Sequence, residues 1–303
     1  MQQRLAEAIG RIAEFQDVEP GEITWEHLSG MTNVNCLARF RGVELVVRFP
    51  GEGTERFIDR RAEMANSRSA YTAGLTNEIA LFDPTDSVLV SAMVQHARPH
   101  TASDRHDPAI LNAVTAILKR THEELAFAND FSPFGLLTTF HAMAHEAGHR
   151  GSADLDQAAT TIAEVRPILE STAMPRVACH NDPVPENFLE TDTGLLLIDW
   201  EYSGRNDPAW DLASLCLEWD LTTAQELEVL AAYESDDETL PWRVTVYRPV
   251  ADLVWSVWAI VQTVLHRSEF TGYGEARLDR CLRAISSPEF DLGVRELRAS
   301  YGG

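Results

Sequence analysis

The spacing of apolar residues changes partway along this chain. Up to about residue 94 it is mostly the two-residue alternation of half-buried strands, and beyond that the spacing of helices. Leu5, Ile9, Ile12 and Phe15 make one stripe of an amphipathic helix, which Pro20-Gly21 breaks. Strands are expected over 23–28, 35–40 and 43–49, with Ser29-Gly30-Met31-Thr32-Asn33 and Arg41-Gly42 as the turns between them. A charged, alanine-rich helix follows over 56–73, with Phe57, Ile58 and Met64 as apolar anchors and Gly74 as its stop. Strands over 79–82 and 87–94 complete a five-stranded sheet. Strand patterning then ends around Ala92 to Arg98, and helices are expected over 108–125, 155–171, 211–219 and 250–266. The last of these is apolar all round and therefore buried. The reading is an α+β chain of two lobes, a small sheet lobe over 1–94 and a larger, mostly helical lobe over 95–303, hinged near Val94 and Gln95.

One stretch interrupts the helical half. A short strand over 177–179 leads to His180, Asp182 and Asn187, and a hairpin then runs through the turn residues Thr191-Asp192-Thr193-Gly194 back to Asp199. A tight hairpin brings its ends together, so Asn187 and Asp199 converge. Two oxygen ligands suit Mg²⁺, which keeps much of its hydration and needs few protein ligands. Asp182, one loop away, can accept a proton from a hydroxyl attacking a bound phosphate. This is the layout of phosphoryl-transfer sites: a loop Asp as base, and an Asn and a second Asp on the metal. Pro183 and Pro185 stiffen the loop. His180, two residues before Asp182, reads as a structural anchor of the loop rather than as an acid or base. Asp211 is placed to cap the helix it opens.

Composition narrows the alternatives. With 303 residues, 45% of them hydrophobic, the chain can bury one or two cores. A formal charge of -22 argues against a nucleic-acid partner, which needs a basic face, and suits a cationic substrate. The four cysteines are scattered without CxxC pairing, as expected of free thiols in a reducing cytoplasm. No signal pattern or membrane span is expected. His145-Glu146-Ala147-Gly148-His149 is a literal HExxH, and its metallopeptidase reading would take Glu164 or Glu170 as third ligand. Gly148 weakens the helix that such a site requires, and the flanks are polar, so a histidine-rich surface helix is the better reading.

His180-Asn181-Asp182, Pro185-Glu186-Asn187-Phe188 and Ile198-Asp199-Trp200-Glu201-Tyr202 resemble the choline/ethanolamine kinases of the aminoglycoside-phosphotransferase-like group, and the resemblance extends over most of the chain. It implies a protein-kinase-like fold with MgATP between the lobes. Ser29 to Asn33 would form the nucleotide loop, and Arg48 would take the place of the kinase lysine that grips the phosphates. Glu63 would be its helix-borne partner, with Glu55 and Glu78 as competitors. Val94 and Gln95 would meet adenine, and Asp211 would brace the catalytic loop. Trp255 and Trp258, three apart on one helix face, read alone as core. With Glu218 and Tyr273 they resemble positions lining a choline pocket, where a quaternary ammonium gains about 2 kcal/mol from cation–π contact. Glu201 and Tyr202 would face the same pocket. Asp220-Leu221-Thr222-Thr223 stands where choline kinases tend to place an aromatic, which keeps ethanolamine and other amino alcohols open. Transfer to an aminoglycoside, a sugar or thiamine is the alternative, and a catalytically silent small-molecule binder the more distant one.

Overall fold

The computed structural model describes residues 1–28, 30–171, 175–265 and 268–301. Ser29, expected in the nucleotide loop, lies outside them. The first helix, α1 (Gln2–Ile9), is shorter than its apolar stripe: it ends at Gly10, and Ile12 and Phe15 lie on the turns that follow. Five antiparallel strands come next, with α2 (Arg60–Thr72) inserted among them. They are β1 (Thr24–Leu28), β2 (Val34–Phe40), β3 (Val43–Phe49), β4 (Ile79–Asp83) and β5 (Val88–Ala92), in the order β1-β2-β3-β5-β4. Cys36, Ala38, Phe40, Leu45, Val47 and Phe49 share one core with Leu5 and Ile9 of α1. The two-residue period of β3 therefore turns Arg48 to the other face of the sheet, where α2 lies.

Helix α2 does not begin at 56: Asp59 caps it, accepting from the Arg61 and Ala62 N–H groups, and Phe57 and Ile58 precede it. Its buried stripe is polar: Arg60, Glu63, Asn66 and Ser67, followed only then by Ala70. A search for apolar periodicity passes over such a stripe, because its burial depends on partners from distant segments.

The rest of the chain runs β6 (Arg98–Pro99), α3 (Pro108–Glu124), α4 (Pro133–Glu146), α5 (Ala153–Glu170), β7 (Val177–Cys179), β8 (Phe188–Thr191), β9 (Gly194–Leu197) and β10 (Gly204–Asn206). Then come α6 (Pro208–Glu218), α7 (Thr223–Tyr233), α8 (Leu240–Val264), α9 (Thr271–Ile285) and α10 (Pro288–Tyr301). The hairpin β8–β9 pairs with β6, and β7 with β10. Helix α8 is the centre of this part, packed against α4, α6, α9 and α10. It starts ten residues before the expected position because Val244, Tyr247 and Pro249 are as buried as the tryptophans. It is long and apolar enough to cross a membrane, and 83% of its most apolar stretch is buried inside the protein.

Two local expectations are corrected. The histidine-rich stretch forms α4, but that helix stops at Glu146, Gly148 takes φ +89°, and His149 beyond it accepts from the Gly151 N–H. Glu146 pairs with Arg56. His145 and His149 therefore do not share one helix face, and the HExxH reading has no geometry to stand on. The cap of α6 is Asp207, accepting from the Ala209 N–H; Asp211 lies inside the helix.

Candidate active site

The loop carrying Asp182 is held from three sides. Asp211, fully buried in α6, accepts the backbone N–H groups of His180 at 2.8 Å and Asn181 at 2.7 Å. Its Oδ2 also meets His122 of α3 at 3.0 Å, and the other ring nitrogen of His122 meets the Tyr233 hydroxyl at 2.8 Å. His122, Cys179 and Asp211 lie close enough to hold a metal, but these hydrogen bonds already occupy the histidine and the carboxylate. Asn181, at φ +69°, donates to the Tyr202 carbonyl at 2.9 Å and accepts from Asn206 at 3.0 Å, and so joins β7 to the turn beyond Asp199. His180 accepts the Asp182 N–H at its Nδ1 (3.3 Å) and donates from Nε2 to the Ile198 carbonyl at 2.9 Å. Burial depresses its pKa and keeps the ring neutral, as those two roles require.

Asn187 ends a 3₁₀ turn, and the hairpin closes beside it: the Ile198 N–H donates to the Asn187 carbonyl at 2.9 Å, and the Asn187 side chain donates to the Asp182 carbonyl at 3.0 Å. Asp199 follows at φ +64°, a left-handed backbone that Asp tolerates better than most residues. Asp182, Asn187 and Asp199 are thus tied to one another through two turns of backbone. Asp182 is partly exposed, and its pKa is pushed above the ordinary carboxylate value, first by burial and then by Glu218, Asp199 and Glu201; Arg277 opposes the shift.

Across from this loop, Arg48 reaches Asp199 at 2.9 Å with one terminal nitrogen and Glu63 with the other. Glu63 is the partner, and Glu55 and Glu78 are not. The second Glu63 oxygen takes Arg60 at 2.8 Å, and the same Arg60 nitrogen meets Glu201 at 3.0 Å. Asn33 donates to Glu201 at 2.7 Å. Glu201 was expected to face the tryptophans; it is instead buried in this network. Burial and the neighbouring Asp199 push its pKa up to about 7, against Arg48 and Arg60. The turn through Thr32 packs closely on Gly51, where a Cβ would stand 1.9 Å from the Thr32 carbonyl oxygen. Gly30 and Met31 are exposed and Thr32 half-buried. Where the hinge was expected, the Gln95 side chain bonds Glu44 at 2.8 Å, and the Val94 carbonyl accepts from the Ala97 N–H at 3.4 Å.

The aromatic residues gather around Trp258, and Tyr202 and Tyr273 of this cluster lie within electrostatic reach of Asp182. Trp255 meets Trp258 edge to face at 6.3 Å and Tyr202 at 5.2 Å; Trp258 also meets Phe270 at 5.0 Å and Tyr273 at 6.1 Å. The Tyr202 hydroxyl and the Trp258 Nε1 are buried without a hydrogen-bond partner. A cation is already present: the Arg277 guanidinium lies 4.8 Å over the Tyr273 ring, donates to its hydroxyl at 2.7 Å and pairs with Glu218 and Asp252. Sequence reasoning missed Arg277, Arg60 and Asn181. Arg277 alone left a signal, standing one helical turn after Tyr273.

Among proteins similar to this chain, Protein LicA of Haemophilus influenzae is 27% identical over 282 residues, covering 89% of this chain and 82% of its own. The structure of choline kinase LicA from Streptococcus pneumoniae superposes with a TM-score of 0.83 at 29% identity, covering 94% of this chain and 99% of that one. A structure of LicA in complex with AMP gives a TM-score of 0.82 at 28% identity, covering 94% and 97%. The sequence profile of the phosphotransferase enzyme family matches residues 26–253, most of the chain, which therefore belongs to that family.

Proposed function

We propose that the chain transfers the γ-phosphoryl group of ATP to the hydroxyl of choline, ethanolamine or a related small amino alcohol. The observation that carries this reading is that Asn187 is bonded to the Asp182 carbonyl and to the residue before Asp199, while the Glu63-paired Arg48 reaches Asp199 itself. Residues 1–94 would bind nucleotide, with Ser29, Gly30, Met31, Thr32 and Asn33 over the phosphates, Arg48 as their bidentate cation and the backbone at Val94 and Gln95 against adenine. Residues 95–303 would supply the base and hold the acceptor.

The residues at the hairpin ends fit Mg²⁺: an amide and a carboxylate offer oxygen donors, and Asp199 is about one-third exposed toward the cleft. A cation there supplies charge neutralisation at the phosphates. The chain does the rest. Asp182 takes the acceptor's hydroxyl proton as that oxygen bonds to the γ-phosphorus and the bond to the bridging oxygen breaks, leaving ADP and a phosphomonoester. A carboxylate whose pKa is raised by its surroundings is a better proton acceptor than an ordinary one. Trp255, Trp258, Tyr202 and Tyr273 would face the cationic head, and Glu218 would share its charge between that head and Arg277. Arg48 holds charge where the phosphates come to lie, so catalysis is positioning and electrostatics.

The test is ADP release under MgATP across choline, ethanolamine, homoserine, thiamine and kanamycin, with Asp182→Ala as control. Turnover with choline or ethanolamine that the variant loses is the expected result. Turnover with kanamycin or thiamine alone would overturn the acceptor assignment and return the tryptophans to core.

A further inference from the structure

Arg60 is a buried arginine at the first turn of α2, and it touches three separate segments. One terminal nitrogen is shared between Glu63, on its own helix, and Glu201, two residues after Asp199. The other reaches the Asn33 amide oxygen at 3.3 Å, in the β1–β2 loop, and the Thr54 hydroxyl at 3.1 Å, just after the Gly51 contact. The side chains of Arg60, Glu63 and Glu201 are 6%, 1% and 3% exposed, so these charges interact with little screening by water. Burying a guanidinium is costly unless each contact is matched by charge or a hydrogen bond, and the expense is hard to explain at a purely scaffolding position. Two helical turns further on, Asn66 fastens the same helix face to Ser203, bonding its carbonyl at 3.1 Å and its hydroxyl at 3.0 Å. Helix α2 is thus fixed at two points to the turn that follows Asp199, while Glu63 on the same face holds Arg48.

We propose that Arg60 is a positioning residue for phosphoryl transfer: by joining Glu63, Glu201, Asn33 and Thr54 it holds the phosphate-facing Arg48 and the metal-facing Asp199 in register across the two halves of the chain. The inference rests on the functional reading above. Its chemistry is orientation: Arg60 lies behind Glu63 and Glu201 and acts through them. Lysine cannot replace it fully, because a single ammonium cannot serve the two carboxylates and the loop oxygens in one plane as a guanidinium fork does.

The experiment compares Arg60→Met, Arg60→Lys, Glu201→Gln and the Arg60→Met/Glu201→Gln pair with wild type, using Arg166→Met as a surface control; Arg166 pairs with its helix neighbour Glu170 at 3.0 Å and lies 5.3 Å over the Phe134 ring, with no contact to the Arg60 network. Affinity for a fluorescent adenine nucleotide is measured against Mg²⁺ concentration, together with kcat, both KM values and thermal melting. Arg60→Met is expected to weaken magnesium-dependent nucleotide binding and kcat by roughly 10–100-fold, as loss of an outer partner of a metal ligand does, with the acceptor KM unchanged. Arg60→Lys should recover part of the loss. The double variant should bind nucleotide no worse than Arg60→Met alone, because both changes break one connection. A lower melting temperature with unchanged nucleotide affinity and magnesium dependence would overturn the proposal, and so would losses that multiply in the double variant. If Arg60→Met does not fold, Arg60→Lys and Glu201→Gln are read in the same way. A wild type that binds MgATP and phosphorylates none of the acceptors would sink the functional reading, while the nucleotide-affinity cycle would still decide the role of Arg60.

Discussion

Asp182 carries an electrostatic conflict that its proposed role as a base would put to use. Burial and the nearby carboxylates of Glu218, Asp199 and Glu201 raise its pKa above the unfolded value, so its ionised form opposes folding. For a raised pKa the stabilising contribution is fully present below the unfolded value, near 3.9 for Asp, and is lost as pH rises through the folded value. Asp182→Asn removes that dependence. The variant is expected to be more stable than wild type at pH 7 without metal and to lose this advantage toward pH 4, as denaturant titrations at the two pH values would read. Its kcat should fall by about 10²–10⁴, the usual worth of a positioned base. A variant less stable at pH 7 than wild type would contradict the electrostatic reading. At this scale the sequence was informative where chemistry repeats at fixed spacing. Asp182, Asn187 and Asp199 could be read from a loop and a hairpin. Asn181 and Arg60 could not, because a buried polar residue is recognised by its partners, and those are up to 141 residues away.

Elements set where these groups point, and two aspartates on α6 divide the labour that the sequence assigned to one. Asp207 caps the helix and also pairs with the buried Arg243, while Asp211 grips the loop that carries Asp182. Asp207→Ala removes the carboxylate that pairs with the buried Arg243 as well as the helix cap, and should cost about 3–5 kcal/mol of stability. Asp211→Ala should depress kcat far more than its loss of stability accounts for, since it frees the His180 and Asn181 N–H groups. Melting and turnover measured side by side separate the two, and similar activity losses at equal stability would refute the division. The loop between β3 and α2 makes a second case. Gly51→Ala would drive its Cβ into the Thr32 backbone, and Thr32 lies in the expected phosphate loop. The expected cost is about 1–3 kcal/mol with a raised KM for ATP; a neutral result would mean that the loop shifts freely. Strands and the hairpin between Asn187 and Asp199 were legible because two-residue alternation and turn chemistry are local. Helix α2 was misplaced at its start because its inward face is polar, and α8 was begun late because its first turns bury Arg243 and Tyr247 among apolar residues.

Over the whole molecule, the formal charge of -22 would act on the two proposed substrates in opposite directions. A small amino alcohol is cationic and MgATP is anionic, so the acidic surface draws the first toward the cleft and repels the second. Added salt shortens the Debye length to about 10 Å at 0.1 M and about 3 Å at 1 M, which removes the long-range field and spares buried pairs such as Arg48–Glu63 and Arg60–Glu201. Raising ionic strength with an inert salt should therefore raise the KM for choline or ethanolamine and lower the KM for MgATP, each by roughly a few-fold, with kcat nearly constant. The opposed signs make the test sharp, because general salt inhibition or loss of stability would move both constants the same way. If both KM values rise together, the surface charge serves solubility and the acceptor is held by the aromatic cluster and Glu218 alone. If they separate as expected, acceptor capture begins well outside the cage, and the contacts around Trp255, Trp258 and Tyr273 act on a cation that the acidic surface has already concentrated.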